Sequence, residues 1–120
     1  MPKSDYLDVN LTALQDLGAI SVLLNDSAVT DVLINGHKNV YFEKNGRLQL
    51  SDIKFKNDAE VFELASKIAT TIGRKLDTRR PLVDARLLDG SRVNIIAPPL
   101  AVDGTSISIR KFSKIPITLA

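Results

Sequence analysis

Apolar positions return along this chain with two different periods. Leu11, Leu14, Leu17, Ile20 and Leu24 recur every three or four residues, the spacing of one helix face, and Asp26-Ser27 supplies polar residues at its end. A first amphipathic helix is predicted there, loosened by Gly18. From Val29 the period shortens: Val32-Leu33-Ile34 is a β-branched-rich run closed by the turn dipeptide Asn35-Gly36, which predicts a buried strand. Further on, Asn57 stands three positions before Glu60 in the manner of a capping box. Val61, Leu64, Ala65, Ile68 and Ile72 then form a helical stripe, and this second helix is expected to end near Gly73.

Two hairpins are legible between and after the helices. In NVYFEKNGRLQL, a three-residue loop Lys44-Asn45-Gly46 with Gly46 left-handed would pair Phe42 with Leu48 and Val40 with Leu50. That register sets Glu43 opposite Arg47, a favourable cross-strand pair. Pro81 then restarts the chain as strands over Leu82 to Leu87, Arg92 to Ala97 and, after Pro98-Pro99 and Asp103-Gly104, Ser106 to Phe112. Two helices and some six strands joined mostly by hairpins predict an α+β domain, with the helices packed on a mixed, mostly antiparallel sheet. The closing KIPITLA reads as a linker, so the domain is placed at 1–112 and the linker at 113–120.

The second hairpin raises the chemical question. With the loop Leu88-Asp89-Gly90, Ala85 lies opposite Val93, Asp84 opposite Asn94, and Arg86 opposite Arg92. A two-residue Asp89-Gly90 loop would mix Val93 and Ile95 onto the face of Asp84 and Arg86, so apolar burial selects the first register. Like charges directly opposed are unfavourable. In the last strand the alternation places Ile107 and Ile109 inward and Ser106, Ser108 and Arg110 outward. If that strand shares the sheet, Arg86, Arg92 and Arg110 share one face. A convergent set of guanidinium forks suits phosphate or carboxylate oxygens, which makes the set a candidate anion clamp. The structural alternatives are that Asp84 or Asp103 neutralises the arginines, or that they point to water.

Bulk properties narrow the classes. A chain of 120 residues suits one core and can hide roughly two thirds of its unfolded surface. Composition is ordinary for a globular domain, 44% hydrophobic and 25% charged. No cysteine is present, which removes disulfides and thiolate chemistry and suits a reducing cytoplasm. The longest apolar runs fall short of the ~20 residues of a membrane span, and Met1 to Asn10 lacks the apolar stretch of a signal peptide. The formal net charge is only +2, yet the second half is basic, so an anionic partner fits. His37 stands alone, with no second histidine or cysteine to complete a metal site, and Ser91, Ser106 and Ser108 sit near no base. Neither a G-x-x-x-x-G-K-[ST] nor a G-x-G-x-x-G loop occurs. The chain by itself therefore reads as non-catalytic, with no metal ligands.

Taken in order, VTDVLING, VYFEKNGRL, VDARLLDGSRVN and DGTSISIRKF resemble the N-terminal domain of CpaF-type secretion and pilus-assembly ATPases, in the type II/IV secretion ATPase superfamily, over about Leu17 to Leu119. The resemblance implies a PAS-like domain followed by a linker and a RecA-like domain that binds most of the ATP and Mg. It further implies a homo-hexamer at the cytoplasmic face of the inner membrane, peripheral to a secretion or pilus platform. Arg86 and Arg92 match the family's D-A-R-x-x-D-G-S-R pattern, and Arg110 with Lys111 matches its I-R-K-F. By resemblance these four would contact nucleotide phosphates and couple hydrolysis to domain motion. Relatives commonly carry proline where this chain has Leu88. The alternatives are an anion- or nucleic-acid-binding module and a docking domain for a membrane platform. Single-strand binding normally needs aromatic platforms, and the second-half strands offer only Phe112.

Overall fold

The computed structural model describes residues 17–87, 90–98, 101 and 104–111. Helix α1 spans Ala19–Asn25, with Gly18 as its N-cap at φ 66° and ψ −137°. The predicted helix therefore does not run through Gly18. A glycine with positive φ, which a Cβ would disfavour, turns the chain there, and the Leu11 and Leu14 part of the stripe lies outside the described residues. Ile20 and Leu24 are buried as the periodicity requires.

Strand β1 (Val29–Asn35) pairs with β2 (Asn39–Lys44), and β2 with β3 (Arg47–Leu50), all antiparallel. Val29 and Val32 both enter the core although they are three residues apart, an odd spacing on a period of two. A register shift between Val29 and Asp31 reconciles them. The extra residue, Thr30, lets both valines face inward and re-aims Asp31 outward.

The first hairpin departs from its expected register. Tyr41 lies opposite Leu50, Phe42 opposite Gln49, Glu43 opposite Leu48 and Lys44 opposite Arg47. The loop is the two residues Asn45 and Gly46, at φ 54° and 79°, the paired positive values of a type I′ turn. The expectation assumed that β3 buries one face. All four of its residues are exposed, so burial had no hold on the register and the Asn-Gly turn decided it.

Helix α2 (Asp58–Thr71) follows the capping signal closely: Asn57 Oδ1 accepts from Glu60 N–H at 3.0 Å, and Glu60 Oε1 accepts from Lys56 N–H at 2.6 Å. Glu60 thus reaches one residue further back than the usual reciprocal partner. Val61, Ala65 and Ile68 are buried along the predicted stripe, Leu64 packs against it, and Ala69 joins them. Gly73, at φ 79°, ends the helix.

Beyond a turn in which Asp77 Oδ1 accepts from the N–H groups of Arg79 and Arg80, the chain forms β4 (Leu82–Arg86), β5 (Arg92–Ile96) and β6 (Ser106–Arg110). Strand order is β3-β2-β1-β6-β5-β4. Every pairing is antiparallel, so the mixed element of the expectation is absent among the described strands. Val32, Ile34, Val40, Val83, Ala85, Val93, Ile95, Ile107 and Ile109 line one face and form a single core with both helices. Phe112 and the linker assigned to 113–120 lie outside the described residues.

One tertiary contact ties α2 to the sheet's centre. Asp58 Oδ1 accepts from Thr105 N–H at 3.1 Å, just before β6. Gly104 has φ +105°, and a Cβ there would collide with Asp58 Oδ1. Gly104→Ala is expected to lower stability by about 1–3 kcal/mol, read by urea unfolding. Asp58→Ala should cost about 1–3 kcal/mol through the lost charged hydrogen bond. The double variant should cost less than the sum, because Asp58 is half of the clash.

Candidate functional site

The helices cover one face of the sheet, and side chains of the other face stand toward solvent. The second hairpin has the register that apolar burial selected: Asp84 opposite Asn94, Ala85 opposite Val93, Arg86 opposite Arg92. Leu87 N–H donates to Ser91 O at 2.8 Å, which continues the ladder to a three-residue loop. Strand β6 lies beside β5 with Arg92 opposite Arg110, and β1 lies beside β6 with Asp31 opposite Arg110. One line across the open face therefore reads Arg86, Arg92, Arg110, Asp31, Glu43 and Leu48. The three arginines are contiguous, with Asp31 beside Arg110 and Glu43 one strand further on.

Arg92 and Arg110 each hold a carboxylate of their own fold, contrary to an arrangement of unpaired cations. Arg92 donates from Nε to Asp84 Oδ1 at 3.1 Å and from Nη2 to Asp84 Oδ2 at 3.0 Å, a two-point grip along one edge of the fork. Arg110 donates from Nε to Asp31 Oδ2 at 3.0 Å. The structural alternative that named Asp84 is thus realised for Arg92, and Asp103 lies outside the described residues. The Arg92 and Asp84 side chains both face solvent, at 50% and 44% exposed, whereas Arg110 at 73% meets an Asp31 that is only 13% exposed. An exposed pair such as Arg92 with Asp84 adds little to stability. The bond from Arg92 holds the Asp84 carboxyl below the usual aspartate range, helped by the charge of Arg86 and opposed by partial burial. Asp84 in turn holds the Arg92 guanidinium more firmly protonated.

Lys111 does not join this row. The alternation that points Arg110 to the open face points the next residue inward, and Lys111 Nζ donates to the carbonyls of Leu24 at 3.0 Å and Asp26 at 2.7 Å. It therefore satisfies the C-terminal end of α1, where orphan carbonyls favour a cation. Burial pushes its ammonium below the ordinary lysine value, and Asp26 partly offsets this. Asp26 is itself tied to Ala28 N–H at 2.9 Å and to Lys44 Nζ at 3.0 Å. The I-R-K-F resemblance groups Lys111 with Arg110, but the strand's period of two turns their side chains to opposite faces.

Comparison with known proteins follows the same lines. A family model described as type II/IV secretion system protein matches residues 13–120. The chain belongs to that family. An uncharacterized protein of Methanocaldococcus jannaschii is 36% identical over 104 residues, covering 86% of this chain and 14% of the relative. A protein of Mycobacterium tuberculosis named for conjugal transfer is 33% identical over 110 residues, covering 87% of this chain and 31% of the relative. The VirB11 ATPase of the Brucella suis type IV secretion system, solved in complex with sulphate, shares the fold at a TM-score of 0.64 and 24% identity, over 86% of this chain and 30% of that one. The chain thus spans less than a third of the length of each of these relatives.

In this secretion-system protein, Asp31 is the residue of the open face that sequence reasoning missed. Its partner is distant in sequence, and the bulge that turns it outward was signalled only by the odd spacing of Val29 and Val32.

Two measurements check these assignments. By carboxyl NMR, Asp84 should titrate below the ordinary aspartate midpoint, and Arg92→Ala should return it upward. The sign follows from the lowered folded value: the pair's contribution is complete above the ordinary aspartate range and disappears as pH falls through the lowered value. Lys111→Met keeps the apolar stem and removes the ammonium; chemical unfolding should show a loss of about 1.5–3 kcal/mol.

Proposed function

We propose that this chain is the N-terminal domain of a CpaF-type pilus-assembly or secretion ATPase, and that its arginines close on ATP held by an adjoining RecA-like domain. The observation that carries the reading is the contiguous row Arg86, Arg92 and Arg110 on the face no helix covers. Family membership supports the ATPase class. Fork-shaped donors on neighbouring strands match the spread oxygens of a polyphosphate, and negative charge arriving between them relieves their mutual repulsion. Lys111 has no place in this clamp, because its ammonium is engaged at the end of α1.

In the proposed cycle, ATP and Mg are held mainly by the RecA-like domain, and Arg86, Arg92 and Arg110 bridge the phosphates from outside. Bound triphosphate holds the two domains together; hydrolysis reduces the charge between them and lets them part. A homo-hexamer would set six such bridges around a ring, in the cytoplasm against an inner-membrane platform. Guanidiniums that meet developing phosphoryl charge can govern turnover without taking part in bond breaking.

Arg86→Ala and Arg92→Ala in the full-length protein should leave the circular dichroism and unfolding midpoint close to wild type. ATP hydrolysis should fall by about tenfold or more. Wild-type turnover in both variants would overturn the assignment. Salt-dependent binding of oligonucleotides by this chain, lost in the same variants, would favour the nucleic-acid alternative instead.

A further inference from the structure

The two carboxylates beside the arginines differ in how they hold them. Asp84 takes both Nε and Nη2 of Arg92, which is the edge a phosphate oxygen pair would take. Asp31 takes only Nε of Arg110, through a single 3.0 Å bond, and leaves the terminal nitrogens clear of that contact. Their exposures differ in the same sense: the Asp31 side chain is 13% exposed against 44% for Asp84. Asp31 is a fixed carboxylate set among packed strands, while Asp84 stands in water beside its partner.

Resting on the phosphate-contacting reading of the row, we infer that Asp84 and Asp31 act in opposite directions on the same site. Asp84 is a resident competitor that occupies the fork of Arg92 until a stronger anion displaces it. Asp31 is a positioning residue that anchors Arg110 by its Nε so that its outer nitrogens face the incoming phosphates. A single weak anion gains too little to displace a two-point carboxylate. A triphosphate, which meets several guanidiniums at once, gains enough. The consequence is selectivity for polyphosphate over the monoanions and carboxylates of the surrounding solution, set by a residue that never touches the ligand. The chain's own sequence places this competitor two residues before Arg86, directly opposite Asn94 and diagonal to Arg92.

The test is calorimetric titration of this chain with inorganic triphosphate and, separately, with inorganic phosphate, at fixed ionic strength. Asp84→Asn should bind triphosphate about 2- to 5-fold more tightly, the range an exposed ion pair allows. The same variant should lose preference for triphosphate over phosphate. Asp31→Asn removes an equal charge from the same row, yet should show no such gain, because Arg110 loses its anchor. In NMR spectra the Arg92 Nε–H signal of the wild type should move on adding triphosphate, and in Asp84→Asn it should already be displaced before addition. Equal tightening in both variants would mean that only net charge matters and would overturn the inference, as would unchanged affinity in Asp84→Asn. Failure of the underlying reading looks different: Arg86→Ala and Arg92→Ala would then bind triphosphate as well as wild type.

Discussion

The pairing of β1 with β6 is the contact on which the rest of this structure depends. It joins the hairpin system of the first half to that of the second across the centre of the sheet, with Val32 opposite Ile109 and Ile34 opposite Ile107. Bringing together segments so far apart costs chain entropy, but that cost rises only slowly with loop length, and α2 spans the gap while supplying Val61, Ala65, Ile68 and Ala69 to the core. The register admits no slip. Moving β6 by one residue would send Ser108 and Arg110 into the apolar layer and expel Ile107 and Ile109. The same register that fills the core therefore dictates that Arg110 stands outward beside Arg92 on one flank and Asp31 on the other.

How much of this could be read from the residues depended on whether burial constrained them. The second hairpin was legible because Val83, Ala85, Val93 and Ile95 are all buried, so only one loop length keeps them together. The first hairpin was not, because Leu48 and Leu50 are each 60% exposed on an edge strand, and an apolar residue there carries no information about the core. Helix α2 was legible from its cap and stripe. The start of α1 was not, because periodicity continued through Gly18 while the backbone did not. At the candidate site, the shared face of the arginines followed from alternation alone. Their acidic partners divide by distance: Asp84 could be named from the hairpin, whereas Asp31 required a long-range register that no local pattern encodes.

The placement of two arginines in direct opposition looks unfavourable until the whole line is considered. A carboxylate stands next to the row on β1, and another stands diagonally on β4, so the electrostatic cost is shared rather than borne by the Arg86 and Arg92 pair. In water this compensation is loose. Exposed guanidinium and carboxylate groups remain hydrated, and their mutual attraction is screened within about 8 Å at physiological ionic strength. A fold can therefore hold such a row stably without committing it, which is the condition a site must meet if its cations are to exchange one anion for another.

Arg110 and Lys111 show how one strand assigns two cations to unlike tasks. They are neighbours with the same charge, and the pleat alone directs one to the open face and the other to the helix side. Inside, the ammonium is a compact point charge whose separate donors suit two carbonyls at the end of α1. Outside, the planar fork keeps donors in reserve beyond the one that Asp31 engages. The two residue types are not interchangeable, since an ammonium cannot present a flat edge to paired oxygens. Because Lys111 fastens the end of β6 to α1, it also restrains the strand that carries Arg110. An inward contact thereby ties down the end of the strand whose preceding side chain faces outward.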